Sequence, residues 1–270
     1  IPCVTSVRGV EERKTHYYRN FIWLITPGKL LAVCQNTKDR LLKFGVRRNK
    51  INLTYNGVNI KKFKPSFTLR KQVRKELNLD QSIVVGICGF AMYYPQFSGT
   101  GKGHHNLIRA IFSLKEKYNN LKVLVIGKGD GIPYLKDLAS NLSLDKNIIF
   151  LGERFDIPRL LCAMDIYCLP SVYGEFFPNS ILEAMAAKLP WLGSDIAGLK
   201  ELTANSQAGL VSPKGDLEKL TNNLDLLCRD EDLRLKMGEK GRKEVTERFT
   251  IEAVSNRIYE AYNQSQNCFL

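Results

Sequence analysis

The densest chemistry in this 270-residue chain lies in Tyr173-Gly174-Glu175-Phe176-Phe177-Pro178-Asn179-Ser180-Ile181-Leu182-Glu183-Ala184-Met185-Ala186. The segment follows the apolar run Ile166–Leu169, which reads as a buried strand. In a doubly wound sheet, ligands bind beyond the carboxyl ends of the strands, so Glu175 belongs on a loop over that cleft. Pro178 and Asn179 open a helix whose first amides lack intrahelical partners, a site suited to a phosphate. Glu183 falls one turn inside, its side chain slanting back toward the same helix end. Carboxylates accept paired hydrogen bonds from sugar hydroxyls, so ribose or hexose is the natural ligand of this arrangement.

Other patterns point away from other chemistries. Gly99-Thr100-Gly101-Lys102-Gly103 has the glycines and lysine of a P-loop. Gly103 stands where Ser or Thr would hold magnesium, which argues against an ATPase. His104 and His105 are adjacent and cannot share one helix face. The seven Cys show neither Cys-x-x-Cys nor a zinc-type Cys/His spacing, so no metal is expected. Cys88, Cys162 and Cys168 sit in apolar runs, as reduced buried thiols do. No Gly-x-Ser-x-Gly elbow occurs.

The elements that must position these residues alternate between strand and helix. Strands are predicted at Ile1–Val7, Leu30–Cys34, Ile51–Tyr55, Ile83–Cys88, Lys122–Ile126, Ile148–Leu151, Ile166–Leu169 and Gly209–Val211. Asn36 is expected to cap a helix over Thr37–Phe44 that Gly45 stops. Gly103 opens another running to about Tyr118, and Asp156 caps a third with Pro158 in its first turn. Residues 215–268 read as almost continuously helical, with breaks near Arg229-Asp230 and Phe249-Thr250. Repeated alternation predicts α/β architecture with a parallel sheet. The pattern breaks once, at the turn Asn56-Gly57-Val58-Asn59 and the basic stretch through Pro65.

Composition is globular, at 44% hydrophobic and 25% charged, which excludes wholesale disorder. One of the longest apolar runs, Phe21-Ile22-Trp23-Leu24-Ile25, is far shorter than the roughly 20 residues that span a bilayer. The net charge of +13 is unevenly placed: residues 1–75 hold 18 Lys and Arg against Glu11, Glu12 and Asp39. Such asymmetry predicts an anionic partner, either a membrane surface or a phosphorylated acceptor. No RNP, KH or zinc-finger pattern supports nucleic acid.

The Glu175 to Glu183 spacing resembles the signature of retaining glycosyltransferases of the GT-B fold, family 4, also called glycosyl transferases group 1. Tyr55-Asn56-Gly57-Val58 with Phe63-Lys64-Pro65 is similar to that family's interdomain linker. Lys102-Gly103 resembles its diphosphate-binding lysine at a helix start. Ile126-Gly127-Lys128-Gly129 resembles its glycine turn, and Gly198-Leu199-Lys200-Glu201-Leu202 its Gly-x-x-Glu-Leu stretch. The resemblance covers about residues 1–265. It implies an acceptor-domain portion at 1–56, a linker at 57–66, a nucleotide-sugar domain at 67–249 and a C-terminal helix at 250–270 packing back on the first part.

The resemblance also implies roles. Glu183 binds the donor ribose, Glu175 sits by the transferred sugar, and Lys102 neutralises the leaving diphosphate. The amides of Phe177, Asn179 and Ser180 face sugar and diphosphate, and Gly127 lies in the glycine turn. Glu153 and Arg154 border the nucleobase. Two departures stand out. Phe90 follows Gly89 where the family has Arg, so a phosphate cation is missing or comes from elsewhere. Val7-Arg8-Gly9 occupies the place of Val-His-Gly, which makes Arg8 a candidate cation toward acceptor or leaving phosphate.

The expected function is retaining transfer of a sugar from a UDP- or GDP-sugar to a glycan or lipid-linked acceptor in cell-envelope polysaccharide or glycolipid synthesis. No cofactor or metal is expected. The expected location is cytoplasmic, peripheral at the membrane. The alternatives are a GT-B sugar-nucleotide epimerase and a non-catalytic nucleotide-sugar-binding partner. The chain opens inside an expected strand without a start Met, and only about 55 residues precede the linker, against roughly 150 for a whole Rossmann-type domain. The expectation is a start farther upstream, and a 270-residue chain that binds donor without completing transfer.

Overall fold

The structure, a computed structural model, describes residues 3–8, 24–196 and 198–266. Ile1, Pro2, Gly9, Ala197 and the run Phe21–Trp23 lie outside these. The strands are β1 Val4–Val7, β2 Lys29–Ala32, β3 Ile51–Leu53, β4 Ile83–Cys88, β5 Tyr93–Tyr94, β6 Gly99–Thr100, β7 Leu121–Ile126, β8 Ile148–Gly152, β9 Ile166–Leu169, β10 Trp191–Ser194 and β11 Gly209–Ser212. The helices are α1 Gln35–Lys43, α2 Phe67–Glu76, α3 His104–Leu114, α4 Ile132–Asn141, α5 Ile157–Ala163, α6 Asn179–Ala186, α7 Leu199–Ser206, α8 Leu217–Arg229, α9 Glu231–Arg248 and α10 Ile251–Gln266.

Two parallel sheets result. The smaller has the order β1-β2-β3, and the larger β11-β10-β9-β4-β7-β8. The larger order reverses between β4 and β9, the topological switch point of a doubly wound sheet. Side chains alternate along its strands, so the sheet is buried on both faces. Val84, Leu124 and Ile126 join one core with Leu161, Ile181 and Val245. Val85, Ile87, Val123 and Val125 join the other with Ile108, Leu135 and Leu224.

The segment 56–63 runs alongside α6. Asn56 Nδ2 donates to the Phe177 carbonyl at 2.6 Å. Arg242 donates to the carbonyls of Ile60, Phe63 and Ala186. Val58 pairs with Thr250, and α10 then crosses to the smaller sheet, where the Ser265 hydroxyl donates to Cys3 O at 3.0 Å. Tyr55, Phe177 and Phe249 stack where the two parts meet, with ring centroids 5.1 to 5.3 Å apart.

Local expectations fail in five places. The first helix begins at Gln35 with Cys34 at its N-cap, so Asn36 lies inside it. Asp156 does occupy an N-cap position, but its carboxylate turns to Arg154 and Arg159. The helix opened by Gly103 stops at Leu114, and beyond the following turn the Tyr118 phenol donates to Asp225 of α8 at 2.8 Å. The buried strand β10 and the small β5–β6 hairpin were not expected. Trp191-Leu192-Gly193-Ser194 holds only two large apolar residues and sits beside Pro190, so no apolar run marks it.

Candidate active site

The crevice at the switch point is built from the segments following β4 and β9. Gly89, just after β4, has φ +151°, and a Cβ there would lie 2.5 Å from Lys102 Cδ. Glycine therefore lets the lysine stem lie across the strand end. Gly103 has φ +75°, and its Cβ would lie 1.9 Å from the Pro170 carbonyl oxygen just beyond β9. The Lys102 loop is thus pressed against both strand ends.

Two histidines anchor that loop. The Thr100 amide donates to His105 Nδ1 at 3.0 Å, and the Thr100 hydroxyl meets His104 Nδ1 at 2.9 Å. Burial holds both imidazoles neutral, pushing His104 down to about 3 and His105 to about 4. The sequence read this pair only as a poor metal site. Its positioning role depends on the fold around Thr100. The Gly101 carbonyl accepts from the amides of Val172 and Tyr173, and Tyr94 packs on Tyr173 at 5.4 Å. Hairpin and Glu175 loop therefore form one unit. At its centre the Lys102 ammonium is ion-paired with the Glu175 carboxylate, the side chains being 26% and 11% exposed.

Glu183 lies behind this pair on α6. It is half-buried, and its carboxylate accepts no hydrogen bond from another described residue. Burial pushes its carboxyl up to about 7, opposed by Lys62 of the segment beside α6. Cys88 at the end of β4 feels both sides of the crevice. Burial pushes its thiol up to about 11, Glu183 adds to this and Lys102 opposes it. The buried Tyr167 phenol donates to Cys88 O at 3.3 Å and is tied to the Ser180 hydroxyl, which fixes the first turn of α6.

The other expected residues divide. Asn179 is exposed at the start of α6, and the Phe177 ring is buried in the aromatic cluster next to it. Lys102, Glu175, Glu183, Phe177, Asn179 and Ser180 thus all belong to the segments that follow β4 and β9. Gly127 follows β7, where its amide donates to Gly152 O at 2.8 Å. Glu153, beyond β8, pairs with Lys128 at 2.8 Å. Arg154 binds Asp156 through two bonds of 2.7 and 2.8 Å and holds that carboxyl down at about 2. Arg8 is exposed at the carboxyl end of β1, on the other sheet. Among the described residues, no group of three His, Cys, Asp or Glu side chains is placed to hold a metal ion.

Such a site has a cation, a helix N-terminus and a second carboxylate that is unpaired among the described residues. It can receive a phosphate beside a polyhydroxylated ring. The family model described as glycosyl transferases group 1 matches residues 89–244. The capsular polysaccharide biosynthesis glycosyltransferase CapM of Staphylococcus aureus is 25% identical over 96% of the chain and 70% of its own length. The N,N'-diacetylbacillosaminyl-diphospho-undecaprenol alpha-1,3-N-acetylgalactosaminyltransferase of Campylobacter jejuni is 28% identical over 87% of the chain and 60% of its own length. Anabaena Alr3699/HepE, solved in complex with UDP, superposes with a TM-score of 0.86 at 23% identity, covering 97% of this chain and 72% of that one. The likeness shows the GT-B fold.

Proposed function

Since the chain belongs to the glycosyl transferases group 1 family, we propose that it serves in retaining transfer of a sugar from a UDP- or GDP-sugar to a glycan or lipid-linked acceptor in cell-envelope glycan synthesis. The chain spans 60% of the Campylobacter relative, so activity and substrates of the whole protein are part of the proposal. The observation that carries it is the pairing of Lys102 with Glu175 in the segments that follow β4 and β9, with the Glu183 carboxylate on α6 unpaired among the described residues.

In this reading the ribose hydroxyls donate to Glu183. The diphosphate meets Lys102 and the free amides of α6, which stabilise the charge that grows on the leaving group. Glu175 faces the oxocarbenium-like sugar. Gly127, Glu153 and Arg154 border the base, and Arg8 approaches from the acceptor side. No metal is called upon where ammonium and helix amides do this work. A lipid-linked acceptor agrees with the diphospho-undecaprenol in the Campylobacter relative's name, and a uridine donor with the UDP held by Alr3699/HepE. The basic excess in residues 1–75 supports action at an anionic, cytoplasmic membrane face. Among the described residues, no helix is long and apolar enough to cross a membrane.

The test incubates the protein with UDP- and GDP-sugars, with and without undecaprenyl-diphosphate-sugar acceptors in anionic liposomes. Acceptor-dependent nucleotide release with an α-linked product supports the reading. Product formed equally without acceptor overturns it in favour of an epimerase. Binding without any turnover, by this chain and by a version extended upstream in frame alike, leaves a nucleotide-sugar-binding partner.

A further inference from the structure

Helix α1 starts without an oxygen cap of its own, since Cys34 stands at its N-cap. Its first amides are instead satisfied from 165 residues away. The Asn36 amide donates to Glu201 Oε1 of α7 at 3.1 Å, and the Gln35 amide bonds the same side chain. A carboxylate at a helix start satisfies orphan amides and complements the helix dipole. This cap joins the two sheets, because α1 follows β2 of the smaller and α7 follows β10 of the larger.

The same junction reaches the Glu175 loop. Gly198, at the start of α7, donates its amide to the Phe176 carbonyl at 2.8 Å. A Cβ on Gly198 would lie 2.4 Å from that oxygen and 2.9 Å from Cys34 Cβ. From α1, the Arg40 guanidinium lies over the Phe176 ring at 5.7 Å. Phe176 adjoins Glu175, so α1 meets the donor loop directly through Arg40 and indirectly through α7.

We propose that Glu201 is a positioning residue, whose cap on α1 holds the smaller sheet in register with the loop that carries Glu175. A rotation of α1 relative to α7 would break the cap and shift Phe176 at the same time. The inference rests on the proposed function only in giving Glu175 a place beside the sugar.

The experiment measures amide exchange by mass spectrometry on the full chain, comparing wild type with Glu201→Ala and Glu201→Gln. In Glu201→Ala the amides of Gln35 and Asn36 exchange about five- to tenfold faster, the loss of one cap. Residues 173–177 follow them, while β4 and β7 keep wild-type protection. Glu201→Gln keeps an acceptor oxygen and restores slow exchange in both segments. Faster exchange at α1 with 173–177 unchanged would reduce Glu201 to a local cap and overturn the proposal, as would uniform loosening of β4 and β7. Calorimetry with UDP and with GDP on the same samples separates the two readings. Wild type that binds neither nucleotide sinks the proposed function and leaves the coupling intact.

Discussion

Lys102 and Glu175 neutralise one another beyond the carboxyl ends of β4 and β9, although 73 residues separate them in the chain. A diphosphate that enters must therefore share or take over the ammonium. Removing a charged hydrogen bond costs about 1.5–3 kcal/mol. Lys102→Ala is expected to weaken UDP by about ten- to a hundredfold. Glu175→Gln removes the competitor, so UDP binds as well as before or better while transfer falls. Isothermal titration of the two variants decides, and undiminished UDP affinity in Lys102→Ala would remove the lysine from the site.

Glu183 is expected to make donor binding depend on pH. Its carboxyl is pushed up to about 7 from a usual 4.5 by burial. A group with a raised folded value contributes stability that is fully present below pH 4.5 and lost as pH rises through about 7. Ribose hydroxyls prefer the ionised form, so nucleotide binding takes the opposite sign and tightens across the same window. Affinity for uridine, which carries no phosphate to titrate, is expected to rise by up to about tenfold from pH 6 to pH 8. In Glu183→Gln it stays flat. A parallel rise in both proteins would refute the assignment.

The opposite ends of the strands hold the fold together at Asp165. Its carboxylate accepts from Arg70 at 2.5 Å, from Arg74 at 3.2 Å and from the Val84 amide at 2.7 Å. The Arg74 side chain is only 8% exposed. Asp165→Ala leaves that guanidinium without its counter-ion, which costs about 3–5 kcal/mol for a buried pair. Urea unfolding measures it, and a loss under about 1 kcal/mol would show that the backbone carbonyls around Arg74 suffice.

The legible parts of this protein are those in which local pattern decides. Ile83–Cys88 and Ile166–Leu169 read as buried strands because both faces of the sheet are covered, and a run of apolar residues is the direct result. Glu175 and Glu183 could be placed on a loop and a helix turn because only eight positions separate them. Lys102 was legible as a cation at a helix start, but not as the partner of Glu175. That pairing depends on β4 and β9 becoming neighbours, which no local pattern encodes. Glu201 was legible only as part of a stretch, since its role depends on α1 lacking an oxygen cap. Trp191–Ser194 shows the converse, a strand with only two large apolar residues, too few to stand out as a run.

Phe90 offers the last test, because it stands where family resemblance places a second phosphate cation. It is 48% exposed just after the Gly89 turn, so a larger polar side chain there need not disturb either core. With Lys102 balanced by Glu175, the crevice presents little net positive charge to a diphosphate. An Arg at position 90 adds a planar donor able to bind two phosphate oxygens at once. Because the position is half open to solvent, the gain is discounted to about 1 kcal/mol. Phe90→Arg is then expected to tighten UDP about fivefold at low salt, and less at 0.5 M, where exposed charges are screened. Uridine binding should not change. Equal UDP affinity in wild type and Phe90→Arg at low salt would mean that position 90 does not face the phosphates.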